Sequence, residues 1–95
     1  MADTLPKLLI LGGTRDAATL SSRLLRSHRS RIDLISSLAG RTAGANVPGK
    51  VRIGGFGGLN GLSNYIVKNS VQMMVDSTHP FAEQISRNAS QAAKI

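Results

Sequence analysis

The stretch KLLILGGTRDAATLSSRLLR, residues 7–26, decides the fold. Lys7 to Leu11 is a short aliphatic run closed by Gly12-Gly13. An apolar run of this length, without alternation, predicts a strand buried on both faces, as strands of parallel sheets are. From Asp16 to Arg26 the residues Ala17, Leu20, Leu24 and Leu25 fall near helical spacing with polar residues between them, which predicts an amphipathic helix. Strand, glycine turn and helix form one unit of an alternating α/β chain.

The rest of the sequence continues the alternation. Arg31 to Ser37 (RIDLISS) reads as a second strand, and residues 38–49, with three Gly and one Pro, as a loop. Lys50 to Ile53 reads as a third strand, and Leu59 to Asn69 as a helix with Leu62, Tyr65 and Ile66 on one face. Val71 to Asp76 reads as a fourth strand, and a third helix runs from Phe81 onward, entered through Pro80. Such alternation gives a parallel sheet with helices on its faces. Right-handed crossovers then predict an α/β, Rossmann-like sheet of about four strands in the order 3-2-1-4. Ligands of such sheets bind beyond the carboxyl ends of the strands, so residues 12–16, 36–42, 54–58 and 76–80 are the candidate functional segments. No Gly or Pro closes the last helix, which reads as amphipathic through Ile95. The expectation is therefore that the sequence breaks off inside a longer protein, since a four-strand sheet with an open edge is a thin core.

Composition narrows the function classes. The 95 residues are 41% apolar and 3% aromatic, with no Trp or Cys, so Leu, Ile, Val, Ala and Met must build the core around Phe56, Tyr65 and Phe81. Without Cys there is no disulfide framework, zinc–thiolate site or cysteine nucleophile, and a reducing cytoplasm is expected. No apolar run approaches the ~20 residues a membrane span needs. Twelve Lys and Arg against five Asp and Glu leave a net charge of +7, which favours an anionic partner. The basic cluster Arg23, Arg26, Arg29 and Arg31, with His28 inside it, complements a helix C-terminus and reads as a solvated face. Nucleic-acid binding is disfavoured, because no aromatics are interleaved for base stacking. Tyr65 and the pair Met73-Met74 sit at core spacing.

Each candidate segment carries a motif. In Gly12-Gly13-Thr14-Arg15-Asp16-Ala17, Gly12 and Ala17 match the first and last small residues of a G-x-G-x-x-G/A dinucleotide turn, with Thr14 in place of the second glycine. The Thr14 hydroxyl suits either a hydrogen bond to phosphate or the N-cap of the next helix. Around Ser36-Ser37-Leu38-Ala39-Gly40-Arg41-Thr42 no acid stands where NAD-specific domains hold the ribose diol. Hydroxyls and Arg41 suit a 2′-phosphate instead, which points to NADP. Gly54-Gly55-Phe56-Gly57-Gly58 allows close backbone approach to a ligand or forms a plain turn; Phe56 is expected to be exposed unless it covers a ligand or packs on another domain. Asp76-Ser77-Thr78-His79-Pro80-Phe81 puts an acid at a strand end and a histidine at a helix entrance, where His79 can donate a hydrogen bond or a proton. The alternative reading has Thr78 capping the helix and His79 at the surface.

Taken together, LILGGTRDA, SLAGRT, VRIGGFGG followed by GL-x-x-Y, and DSTHPFA with its following S-x-N-A resemble the precorrin-6A reductase family of cobalamin biosynthesis, in the family's order and spacing. The resemblance runs from about Leu8 to Ala93. It implies that residues 1–95 form the NADP-binding N-terminal domain of a monomeric two-domain enzyme, the family's second α/β half being absent. The implied activity is NADPH-dependent reduction of one macrocycle double bond, precorrin-6A to precorrin-6B, on a polycarboxylate tetrapyrrole, with no metal site. A relative in the anaerobic pathway acts on cobalt-precorrin-6A.

Carried over by motif, Gly12, Gly13 and Thr14 would hold the nucleotide, as would Ser37, Gly40, Arg41, Thr42, Gly54, Gly55 and Phe56. Asp76, Thr78 and His79 would lie near the nicotinamide and substrate as the catalytic group. Ser77 departs from the family's usual Ala. A truncated, non-catalytic NADP-binding fragment is the alternative reading.

Overall fold

The computed structural model describes residues 5–38, 47–78 and 83–94. The aliphatic run becomes the central strand β1 (Lys7–Leu11), flanked by β2 (Asp33–Leu38) and β4 (Val71–Asp76), with β3 (Lys50–Ile53) outside β2. All pairings are parallel and the order is β3-β2-β1-β4, as predicted. Three helices connect or follow the strands: α1 (Arg15–His28), α2 (Gly58–Lys68) and α3 (Glu83–Ala92).

Because side chains alternate along a strand, β1 serves two cores. Leu8 and Ile10 pack with Ala17 and Leu34 and with Leu20, Leu24 and Leu25 of α1. Leu9 and Leu11 pack on the opposite face with Leu62 of α2 and with Ala89 and Ala92 of α3. Leu9, Ile10 and Leu62 lose all solvent exposure. The crossover through α2 carries the chain from one edge, β3, to the other, β4. Strand order thus reverses between β1 and β4, and in open α/β sheets a ligand crevice opens at that switch point.

Four details differ from the sequence reading. First, β2 begins at Asp33 rather than Arg31, because the Arg31 and Ile32 amides both donate to the His28 carbonyl as α1 ends. It then extends through Leu38, which is buried opposite Ile53. Second, α1 spans two more residues beyond Arg26, and α2 is shifted back by one at each end, leaving Asn69 as its C-cap. Third, α3 ends at Ala92 in a turn, where Ala93 and Lys94 donate to Ala89 and Gln91, and Pro80 and Phe81 lie outside the described residues. Fourth, Met74 packs into the core but Met73 is 45% exposed. The β1–β4 register slips at this point: Lys7 pairs with Val71 but Leu8 pairs with Met73. The extra residue, Gln72, puts Val71 and Met74 on one face and turns Met73 away.

Candidate functional site

Backbone hydrogen bonds continue past the ends of the strands and bring three loops out side by side. Gly12 N donates to Ser37 O at 2.9 Å, Ser77 N to Leu11 O at 2.9 Å, and Gly54 N to Leu38 O at 2.7 Å. Residues 12–14, 54–56 and 76–78 therefore emerge together at the carboxyl edge of the sheet.

The turn after β1 is shaped by its glycines. Gly13 has φ +101°, which an L side chain rarely adopts, and among the described residues nothing stands within 4 Å of where its Cβ would lie. Thr14 is the N-cap of α1: its Oγ1 accepts from Ala17 N at 3.1 Å. The same oxygen donates to Ser77 O at 2.8 Å. A threonine hydroxyl has one proton, and here it is committed across the β1–β4 switch point. The capping alternative is the one the structure shows, and Thr14 also ties the first loop to the fourth.

At the end of β2, Ser36 and Ser37 are both buried. Ser36 faces α1 and shares a hydrogen bond with Ser21 at 3.0 Å, while Ser21 donates to Ala17 O. Ser37 Oγ lies 3.5 Å from the Arg52 guanidinium, so its hydroxyl has an internal partner. No carboxylate stands at this strand end among the described residues. Asp33 lies at the other end of β2, where Lys50 Nζ holds it at 2.9 Å. Gly40, Arg41 and Thr42 lie outside the described residues.

The loop after β3 corrects the expectation for Phe56. Its ring is half-buried against its own core, edge-on to Tyr65 at 5.2 Å and 70°. Arg52 caps the pair, its guanidinium carbon 3.9 Å from the Phe56 ring centre and 5.2 Å from that of Tyr65. Its nitrogens donate to Gly54 O at 2.7 Å and Gly55 O at 3.1 Å. From the other side, the Phe56 carbonyl oxygen occupies the place a Cβ on Gly61 would take, so the loop rests on the first turn of α2. Among the described residues nothing stands within 4 Å of where a Cβ on Gly55 would lie.

At the end of β4 the exposed Asp76 accepts from the Thr78 hydroxyl at 2.6 Å and the Thr78 amide at 3.2 Å. Thr78 Oγ1 also lies 3.3 Å from Ser86 Oγ on α3. Burial pushes the Asp76 carboxyl up, but hydrogen bonds from Ser86 and Thr78 outweigh it and hold the carboxyl below its usual range. Asp76 is thus held as a carboxylate, suited to orienting hydrogen-bond donors rather than to supplying a proton. His79 lies outside the described residues.

Arg23, Arg26, Arg29 and Arg31 are exposed at the other end of α1, with His28 beside Ser27, as a solvated face requires. Among the described residues no group of His, Cys, Asp or Glu is placed to hold a metal ion, and no helix is long and apolar enough to cross a membrane. Arg52, Gly61 and Ser86 lie within the motifs VRIGGFGG, GL-x-x-Y and S-x-N-A, which gave them no role, and Ser21 lies outside the motifs; all four are structural members of the site. For Arg52 a signal was present: it stands two residues before the glycine run and four before its aromatic.

A parallel sheet of order 3-2-1-4, with a glycine turn opening onto a capped helix at its switch point, defines a doubly wound, Rossmann-like α/β protein. The chain belongs to the precorrin-6x reductase CbiJ/CobK family, whose model matches residues 7–95. It is 49% identical over 90 residues to a precorrin-6A reductase of Sinorhizobium sp, covering 94% of this chain and 34% of that protein. It is 48% identical over 88 residues to the precorrin-6A reductase of Rhodococcus erythropolis, covering 92% and 35%. The cobalt-precorrin-6A reductase of Salmonella typhimurium is 26% identical over 87 residues, covering 92% and 33%. A solved structure of CobK precorrin-6A reductase superposes with a TM-score of 0.82 at 42% identity, covering 95% of this chain and 35% of that one. The chain thus spans about a third of the length of the relatives it matches.

Proposed function

We propose that this chain is the cofactor-binding part of an NADPH-dependent reductase acting on one double bond of a precorrin-6A-type macrocycle, giving precorrin-6B. The observation that carries the reading is the convergence of residues 12–14, 54–56 and 76–78 at one carboxyl edge. Among the described residues nothing stands within 4 Å of where a Cβ on Gly13, Gly54 or Gly55 would lie, which suits the approach of a ligand to backbone. A dinucleotide fits this arrangement, and the end of β2, without a carboxylate, suits a 2′-phosphate better than a free ribose diol. Gly40, Arg41 and Thr42 follow β2 in sequence and are our candidates for holding that phosphate. The greater identity to precorrin-6A reductases, 49% and 48% against 26% for the cobalt-precorrin enzyme, favours the cobalt-free substrate.

When bound, NADPH supplies the hydride; the protein's part is to bind, orient and manage the proton. Thr14 fixes the distance between the first and fourth loops. Asp76, held ionised by Thr78 and Ser86, orients a donor group at the end of β4. His79, two residues after Ser77, is our candidate for delivering the proton to the ring. A net charge of +7 suits a substrate with many carboxylates.

The test is thermal denaturation of the chain with NADPH or NADH. A ligand binding only the native state stabilises it by RT ln(1 + [L]/Kd). NADPH should raise the melting temperature and NADH should not, and Arg41→Ala should remove the difference. A cooperative melt unmoved by NADPH would overturn the reading. In the full-length enzyme His79→Ala should abolish turnover while leaving NADPH affinity intact.

A further inference from the structure

We infer that Arg52, which no motif match assigns, is a positioning residue for dinucleotide binding; the inference rests on the reading just given. A glycine-rich turn can adopt many conformations, and its carbonyl oxygens, if turned outward, repel phosphate. In this protein one side chain settles both matters. The Arg52 fork takes the carbonyls of Gly54 and Gly55 at 2.7 and 3.1 Å, drawing them toward the sheet. Its flat face lies on Phe56 at 3.9 Å, and Phe56 in turn meets Tyr65 of α2. Its other near neighbour is Ser37 of β2, at 3.5 Å. Arg52 thus joins the ends of β2 and β3 to the loop before α2 and, through Tyr65, to that helix. With its donors directed at Gly54 O, Gly55 O and Ser37 Oγ, its charge favours an anion near the loop through space rather than by contact.

Only arginine offers two donors in a fixed plane together with a face that stacks on aromatics. Lysine keeps the charge and donates from a single nitrogen, but loses the planar fork and the stacking. The expected order of NADPH affinity is therefore wild type, then Arg52→Lys, then Arg52→Ala.

The experiment measures NADPH Kd by calorimetry for the three proteins at a temperature where far-UV circular dichroism shows each to be folded. Amide hydrogen exchange of Gly54 to Gly58 is measured in parallel without cofactor. Arg52→Ala is expected to weaken binding at least tenfold and Arg52→Lys about threefold. The loop amides of Arg52→Ala should exchange faster while those of β1 do not change, which a general loss of stability would not produce. Wild-type-like binding by Arg52→Ala, within twofold, overturns the inference and leaves the dinucleotide reading standing. If Arg52→Ala does not fold, Arg52→Lys decides: unchanged affinity overturns the inference and weakened affinity supports it. If the wild type does not bind NADPH, the dinucleotide reading fails and the inference fails with it.

Discussion

Thr14 offers the sharpest test of how the site is built. Thr14→Val keeps the shape and the β-branch and removes only the hydroxyl, which makes two hydrogen bonds, from Ala17 N at 3.1 Å and to Ser77 O at 2.8 Å. Loss of an N-cap oxygen costs about 1 kcal/mol. Loss of the donor to a part-buried carbonyl costs about 1 kcal/mol more, less if water reaches the Ser77 oxygen. The two together come to about 2 kcal/mol, and in a domain of this size each kcal/mol moves the melting temperature by about 4–8 °C. Thr14→Val should therefore melt about 8–16 °C below wild type by calorimetry or circular dichroism. Thr14→Ser keeps both bonds and should lose less than about half as much. A Thr14→Val protein within about 0.5 kcal/mol of wild type would refute the reasoning, since surface substitutions without such a role fall in that range. So would a Thr14→Ser protein as unstable as Thr14→Val.

Three further predictions address other parts of the fold. Gly61→Ala replaces a glycine in the first turn of α2, where helix propensity alone predicts a gain of up to about 1 kcal/mol; because the Phe56 carbonyl fills the Cβ position, we expect a loss of about 1–3 kcal/mol in urea denaturation instead. Ser70 follows α2 with φ +55°, a left-handed conformation costing a non-glycine residue about 1–2 kcal/mol, against about 0.4–1 kcal/mol of extra unfolded-chain entropy for glycine. Ser70→Gly should thus raise the urea midpoint by the equivalent of about 0.5 kcal/mol without changing the slope, and a lowered midpoint would contradict this. Asp76 has a depressed pKa in the folded state, so its stabilising effect is full above the unfolded value, about 4, and is lost as pH falls through the lower folded value. The stability difference between wild type and Asp76→Asn should accordingly be constant from pH 7 to 5 and shrink on acidification to pH 3; a difference that stays constant to pH 3 would show that the carboxylate is not held by Thr78 and Ser86.

The framework of the fold was legible because each strand is a local statement. Lys7–Leu11 is aliphatic and stopped by two glycines, and Val71–Asp76 is apolar and stopped by an acid, so strand order followed from crossover handedness alone. What was not legible depends on pairs distant in sequence. The exposure of Met73 comes from one extra residue, Gln72, opposite β1, which no periodicity reveals. The buried Ser21–Ser36 bond joins two residues that separately look like surface serines. Arg52 in an edge strand reads as a solvated cation until Phe56 and Tyr65 are seen to fold over it. Gly61 looks like a blemish in a helix until the Phe56 carbonyl is placed against it. In the candidate site, the glycines and the strand-end acid were marked by the motifs, but the hydrogen bonds that make the Thr14 and Asp76 side chains structural members of the edge required the tertiary fold.

The claim that most needs testing is that a dinucleotide binds at the carboxyl edge of this sheet. The direct measurement is amide chemical-shift mapping of the isotopically labelled chain during titration with NADPH. The account predicts saturable shifts clustered at residues 12–14, 54–58 and 76–78, on three loops far apart in sequence but adjacent at the edge. Shifts confined to the exposed arginine face of α1 around Arg23 and Arg26, or none at millimolar NADPH, would contradict it.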